Sequence, residues 1–322
     1  METIKKETEM GAIKKRRKND FGNSIGTKIF IVLMLAYPIL QFLVFWVYIN
    51  VDTISLTFSR FDVTTGKYVF WGMERYAKIF HNMILGENVA DRTMFINSFR
   101  AIVINFIILP LAVVTAYAFY KKVPGEKIFR VLFYLPSMIS LVVLTMVFRN
   151  MFSADFGPIA YILNKITGQD VSYLSLGNDY LWNIIYLFCI WAGLGSNVIL
   201  MCGAMQRIPE EVVESAMLDG VGFWRELFNF TIPLIMPTIG VFVLTAVMSV
   251  SSFVMQPMLL ALSGGEQNKY MTVGWYIFEA VQGSDDSIIQ SAATGVVFST
   301  INMPLVLIAK IVIDKLTPDV SY

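Results

Sequence analysis

Histidine is almost missing from this chain, cysteine is scarce, and a nucleotide-binding phosphate loop is absent altogether. The single histidine, His81, lies in a polar stretch with no cysteine or second histidine near it, so the set of ligands that a zinc site requires is not there. Cys189 and Cys202 fall in one predicted helix, where ~1.5 Å per residue sets them about 20 Å apart, beyond the reach of a disulfide. Both read as small apolar side chains, and no metal is expected. No Gly-x4-Gly-Lys-[Ser/Thr] run occurs anywhere, so nothing cradles the phosphates of a nucleotide. The longest polar stretch between apolar runs is short of the ~100 residues of a typical soluble domain. No intramembrane histidine or carboxylate pair is available for catalysis. Net charge is only +1, which gives no reason to expect a nucleic-acid partner.

What the chain has in abundance is apolar sequence. At 56% hydrophobic residues and a mean hydropathy of +0.62, it stands well above the ~45–50% apolar content of a soluble domain. Six runs, 29–49, 95–120, 128–152, 180–205, 234–262 and 288–313, each approach or exceed the ~20 residues that cross a hydrocarbon core as a helix. The first is too long for a signal-peptide core and is followed by no small-x-small cleavage pattern, so it is expected to stay as a span. Asn97, Asn105, Pro110, Pro136 and Pro304 interrupt the runs, which neighbouring helices in a packed bundle make tolerable.

Basic residues orient the spans. The run Lys14-Lys15-Arg16-Arg17-Lys18 precedes the first span, and Lys121, Lys122, Lys127 and Arg130 crowd a short loop, as cytoplasmic segments do. Arg60, Lys67, Arg75, Lys78, Arg92, Arg149, Lys165 and Lys269 fall on the other side, half as many as the inside total. The fold class expected is therefore all-α integral membrane, with six transmembrane helices and both termini cytoplasmic. Residues 1–28 form a basic cytoplasmic segment, 29–313 the six-helix domain and 314–322 a cytoplasmic tail. Residues 51–94, with a short helix near Glu74–Phe80, 153–179 and 263–287 are extracytoplasmic loops.

Residues 206–233 form a polar cytoplasmic island. Pro209 with Glu210 and Glu211 starts a helix, because proline at the first turn loses no bond and carboxylates suit the positive helix end. Asp219-Gly220 ends it, glycine accepting the left-handed cap. A second helix follows with Phe223, Trp224, Leu227 and Phe228 on its apolar side, and Thr231-Ile232-Pro233 leads into the fifth span. On physical grounds this is either an amphipathic connector or a docking surface.

Polar groups within spans four and five mark a candidate pathway. These are Gly193 and Asn197, then Ser249, Ser252 and Gln256, whose i, i+3, i+7 spacing puts them on one face of a continuous helix; Ser140 and Trp191 are secondary. No charge lies mid-span in either helix, and hydroxyls, amides and rings suit an uncharged polar solute such as a sugar. Plain helix packing is the competing reading for each residue taken singly.

The island resembles the permease signature of binding-protein-dependent ABC importers, Glu-Ala-Ala, three residues, Gly, nine residues, Ile-x-Leu-Pro. Here Glu214-Ser215-Ala216, Gly220 and Phe230-Thr231-Ile232-Pro233 stand at those intervals, with Ser, Phe and Ile as departures. Phe133-Tyr-Leu-Pro136-Ser137, Trp191-Ala-Gly193-Leu-Gly195-Ser-Asn197 and Trp71-Gly-Met-Glu-Arg-Tyr76 are similar to the carbohydrate-uptake branch, and specifically to the larger maltose-transporter permease. The resemblance implies a type I importer permease core in a bacterial cytoplasmic membrane, surrounded by lipid. It also implies a second homologous permease, an extracytoplasmic binding protein, a sugar or oligosaccharide cargo, and a separate cytoplasmic ATPase dimer that uses the ATP and Mg. The permease would bind no cofactor and catalyse nothing itself. Glu210, Glu211, Glu214, Ser215, Ala216, Asp219, Gly220 and Pro233 would form the ATPase-coupling region. Leu262-Ser-Gly-Gly-Glu-Gln267 looks like an ATPase signature, yet without a phosphate loop it reads as a coincidence. Phosphate esters, peptides or polyamines remain alternative cargoes, and a membrane receptor or enzyme is the alternative class.

Overall fold

The computed structural model describes residues 25–62, 64–85, 89–153, 156–168, 174, 180–209, 211–212, 218, 220–261 and 269–317. Two units emerge, Met1–Ser59 and Arg60–Tyr322. The first holds helix α1 (Ile25–Thr57), whose ladder loosens to π-type bonding over Phe42–Tyr48 after Pro38. It is apolar on every side, which suits a helix solvated by lipid. It also outruns its expected end at Ile49, so residues 51–57 are helix, not loop.

A hairpin follows, β1 (Ser59–Asp62) paired with β2 (Lys67–Phe70), so the chain is not wholly helical. Its turn is closed by Asp62, whose carboxylate accepts bonds from the Thr64 amide at 2.9 Å, the Thr64 hydroxyl at 2.6 Å and the Thr65 hydroxyl at 2.9 Å. Those bonds, the Thr64 hydroxyl foremost, hold the carboxyl below its ordinary range.

The helices of the second unit are α2 (Glu74–Leu85), α3 (Val89–Tyr120), α4 (Glu126–Met138), α5 (Leu141–Met151) and α6 (Pro158–Thr167). Then come α7 (Leu181–Met205), α8 (Phe223–Leu234), α9 (Met236–Ser251), α10 (Met255–Leu260), α11 (Val273–Ala280) and α12 (Asp285–Leu316). Four helices, α1, α3, α7 and α12, are long and apolar enough to cross a membrane, and the number rises to six if α4–α5 and α8–α9 each make one span. The run 128–152 is not one straight helix: α4 and α5 meet at 107° after Pro136, at a junction where Ile139 is extended. The fifth run bends by 75° between α8 and α9, with Pro233 and Pro237 on either side of Ile235. Proline removes a ladder bond and crowds the preceding turn, which is why the breaks fall there.

Buried side chains gather in three clusters along the bundle. One joins Ile104, Phe148, Phe188, Phe253 and Trp275; the second joins Tyr117, Met201, Met205 and Leu227; the third joins Met83, Met94, Val250 and Phe298. Gly195 lets α7 and α4 touch backbone to backbone, since a Cβ there would run into the Phe133 carbonyl oxygen and lie 2.7 Å from its carbon and 3.0 Å from Tyr134 Cα. Small residues serve membrane helix contacts in this way. The spanning asparagine Asn97 holds structure together: its Nδ2 donates to the carbonyls of Lys269 (2.9 Å) and Met271 (3.0 Å), while Ser98 Oγ accepts from the Val273 amide at 2.8 Å. Together they satisfy an irregular strand of chain that the interior would otherwise penalise.

The segment containing Trp71 and Arg75 is tied to the last span. Arg75, 3% exposed, donates to Gln290 Oε1 at 2.9 Å, pairs with Asp286 at 3.4 Å and lies 5.0 Å from the centre of the Trp71 ring. That anchors α2 on α12.

Candidate functional site

A cavity of about 290 Å³ opens between α3, α7 and the end of α9. Gly193, Asn197, Ser249, Ser252 and Gln256 all line it, so one space collects the five residues that the polar pattern of spans four and five singles out. The route differs from the expected continuous face. After Met248 the chain tightens to a 3-10 turn over Ser249–Ser251 and then leaves the helix until α10, so i, i+3, i+7 geometry does not carry through to Gln256. Unwinding is what turns Ser252 and Gln256 toward the same space.

The lining is neutral and polar on one side, apolar and aromatic on the other. Asn105 of α3 completes it: its Nδ2 donates to Ala101 O at 2.9 Å and to Ser249 Oγ at 3.0 Å, bridging α3 to α9. Asn197 Nδ2 donates to Gly193 O at 2.8 Å, and the Ser252 hydroxyl to Ser249 O at 3.2 Å. Among the described residues the Gln256 amide has no partner, and its donors and acceptor remain available in the cavity. Phe188 and Phe253 contribute aromatic side chains to the wall. Such a lining offers hydrogen bonds without charge, the chemistry of a polyhydroxylated ligand. Asn105 is legible in the sequence as an amide inside an apolar run, yet its direction is set by the packing of α3.

Ser140 and Trp191 are elsewhere. Ser140 stands at the α4–α5 junction with no side-chain capping bond. Trp191 stacks on Phe148 with ring centres 5.9 Å apart.

At the far end of α7 lies the polar island. Glu210, Glu214, Ser215, Ala216 and Asp219 fall outside the described residues. Glu211 is exposed and helical, and Gly220 has φ of +66°, the left-handed conformation expected of a helix-ending glycine. Of the four apolar residues of the second helix only Leu227 is fully buried, while Trp224 and Phe228 are 57% and 59% exposed and stack on each other. Pro233 sits at the end of α8, two residues before Ile235 at the bend. Behind this surface the carboxylate of Glu226, 5% exposed, pairs with Lys121 at 2.5 Å, beside the buried Tyr117 ring. The bond fixes α8 to the short basic loop after α3.

Comparison with known proteins places these features. Residues 108–322 match the family described as "Binding-protein-dependent transport system inner membrane component". An arabinooligosaccharide transport system permease of Halalkalibacterium halodurans is 28% identical over 278 residues, covering 84% of this chain and 83% of that one. A multiple sugar-binding transport system permease of Streptococcus mutans is 24% identical, covering 74% and 79%. A chain in the crystal structure of a bacterial ABC transporter that imports the acidic polysaccharide alginate superposes with a TM-score of 0.75 at 20% identity, over 95% of this chain and 100% of that one. The shared fold is that of a type I importer permease. With its matched region running from within α3 through the cavity helices, the polar island and α12, this chain belongs to the family of binding-protein-dependent transport system inner membrane components.

Proposed function

We propose that this chain is a translocation-pore subunit of an ATP-driven sugar or oligosaccharide importer. The observation that carries the reading is the cavity, where Asn105, Asn197, Ser249, Ser252 and Gln256 converge without a charge among them. The cargoes named for the arabinooligosaccharide and multiple-sugar relatives support it. The subunit is itself non-catalytic and pairs with a second permease to enclose the path. Six spans, with α4–α5 and α8–α9 each crossing once, leave both termini in the cytoplasm and a binding protein facing loops 51–94 and 263–287. The island 206–233 receives the motion of a separate ATPase dimer that consumes ATP and Mg, with Glu214, Ser215 and Ala216 in its contact helix and Gly220 as its turn. Force then passes through α8 to the cavity wall at Ser249.

The test is uptake into proteoliposomes by the whole transporter with its binding protein. Gln256→Ala and Asn197→Ala each remove hydrogen-bonding capacity worth about 1 kcal/mol per bond, so uptake of the cognate sugar drops about fivefold or more while binding-protein-stimulated ATP hydrolysis persists. Glu214→Ala acts at the other end of the path: uptake is lost and ATP hydrolysis no longer responds to the loaded binding protein, or the ATPase detaches. Stimulation by a phosphate ester, peptide or polyamine alone, with sugars inert, refutes the sugar assignment.

A further inference from the structure

The cavity is neutral, but its wall continues to a cation. Arg100 lies one and two turns before Ile104 and Ile108 on α3, both of which line the cavity, and so shares their face. On α7, Trp182, Tyr186, Cys189, Gly193 and Asn197 succeed one another at i, i+4, i+7, i+11 and i+15, again one face, and the last three line the same cavity. Arg100 meets this second stripe directly. Its guanidinium lies 4.4 Å from the centre of the Trp182 ring and donates to Tyr186 Oη at 3.0 Å and to Asn97 Oδ1 at 3.3 Å. The Arg100 group is therefore the upper continuation of the two walls that enclose the polar cavity, about 7.5 Å along α3 from Asn105.

Among the described residues Arg100 has no ion-pair partner. Of the ion pairs among the described residues, between Arg75 and Asp286, Lys121 and Glu226, and Arg130 and Glu126, none involves Arg100. Its partners are an amide, a phenol and an indole, all neutral. An arginine part-buried in an apolar helix is costly, and such groups mark ligand or ion pathways. A planar guanidinium held over an indole and by two hydrogen bonds keeps its remaining N–H donors in a fixed fork, the geometry that binds a carboxylate through two parallel bonds. Tyr270 packs on Trp182 with centres 5.9 Å apart, so a second ring stands beside the indole that carries Arg100. Rings stack on sugar faces, and the guanidinium takes what a neutral sugar does not have.

We propose that Arg100, seated on Trp182 and Tyr186, selects saccharides bearing a carboxylate, and that the cargo of this permease is an acidic, uronate-containing oligosaccharide. The inference rests on the sugar-importer reading: the hydroxyls engage Asn105, Asn197, Ser252 and Gln256, and the carboxylate engages Arg100.

Calorimetric titration of the complete transporter in nanodiscs of zwitterionic lipid tests it, with trigalacturonate, its trimethyl ester and maltotriose as probes. Trigalacturonate is expected to bind about tenfold or more tightly than the ester, the gain of a charge-assisted pair. Arg100→Gln abolishes that difference and keeps ester affinity within about twofold, while Arg100→Lys, retaining charge without the fork, keeps part of it. Equal affinity of the wild type for acid and ester overturns the proposal and leaves the sugar reading standing. So does a preference that survives Arg100→Gln, or a loss in Arg100→Gln that is the same for all three probes, which marks a packing role. A preference that vanishes when phosphatidylglycerol is added to the disc assigns the guanidinium to a lipid phosphate and overturns it too. If no saccharide binds at all, the sugar reading fails and the acidic-sugar inference fails with it.

Discussion

Replacing Gly195 with alanine puts a single methyl group where two backbones touch. The added Cβ would collide with the Phe133 carbonyl oxygen and stand 2.7 Å from its carbon, whereas carbon atoms settle at ~3.5–4.0 Å. Relief requires roughly 1 Å of separation between α4 and α7, and the obstacle is backbone, which has no rotamer to change. Overpacking of this kind costs about 1–3 kcal/mol, or a midpoint lower by about 3–10 °C in a domain of this size. Gly193→Ala is the internal control, two residues away on the same helix. Its Cβ meets Ile108 Cδ1 at 3.2 Å and Asn197 Nδ2 at 4.0 Å, both side-chain tips that can yield, so its midpoint stays within about 2 °C of the wild type while the methyl narrows the cavity. Thermal unfolding of both purified variants in the same detergent decides the matter. Equal midpoints for Gly195→Ala and Gly193→Ala refute the claim that α4 and α7 are held at backbone contact.

Two further perturbations probe the struts around the cavity. Glu226→Gln leaves Lys121 without its carboxylate in a mostly buried setting; loss of such a pair costs ~3–5 kcal/mol when fully buried, and the partial exposure of Lys121 lowers the expectation to about 2 kcal/mol. Adding Lys121→Met recovers most of the loss in a double-mutant cycle, and additive effects would show that the two residues do not interact. Arg75→Met removes the bonds to Gln290 and Asp286 and the ring contact with Trp71. Amide exchange across 74–83 then rises by about tenfold or more, and unchanged protection would mean that α2 is held on α12 by its apolar face alone.

Composition and apolar run length already settle that this is a membrane-embedded helical protein, because crossing hydrocarbon demands long runs whatever the fold. The landmarks are legible for similar reasons: Gly220 takes the left-handed angle its helix end needs, and Pro136, Pro233 and Pro237 fall at the two bends. Other features depend on which elements become neighbours. Phe133-Tyr-Leu-Pro136 and the Gly193–Asn197 stretch are separate motifs in the sequence, and only packing places the Phe133 carbonyl against Gly195. The hairpin at 59–70 is not legible in the sequence, since four-residue strands carry too little periodicity to register.

The cavity shows the division most clearly. Sequence alone marks Gly193, Asn197, Ser249, Ser252 and Gln256 as polar positions in oily helices, because an apolar run makes any amide or hydroxyl conspicuous. Tertiary structure decided that they share one space, that the helix must unwind after Met248 for the last two to reach it, that Asn105 lies on its wall and that Arg100 stands just beyond it. Helical phase extends only as far as the helix does, and the direction a polar group faces is set by the neighbour that buries the opposite side.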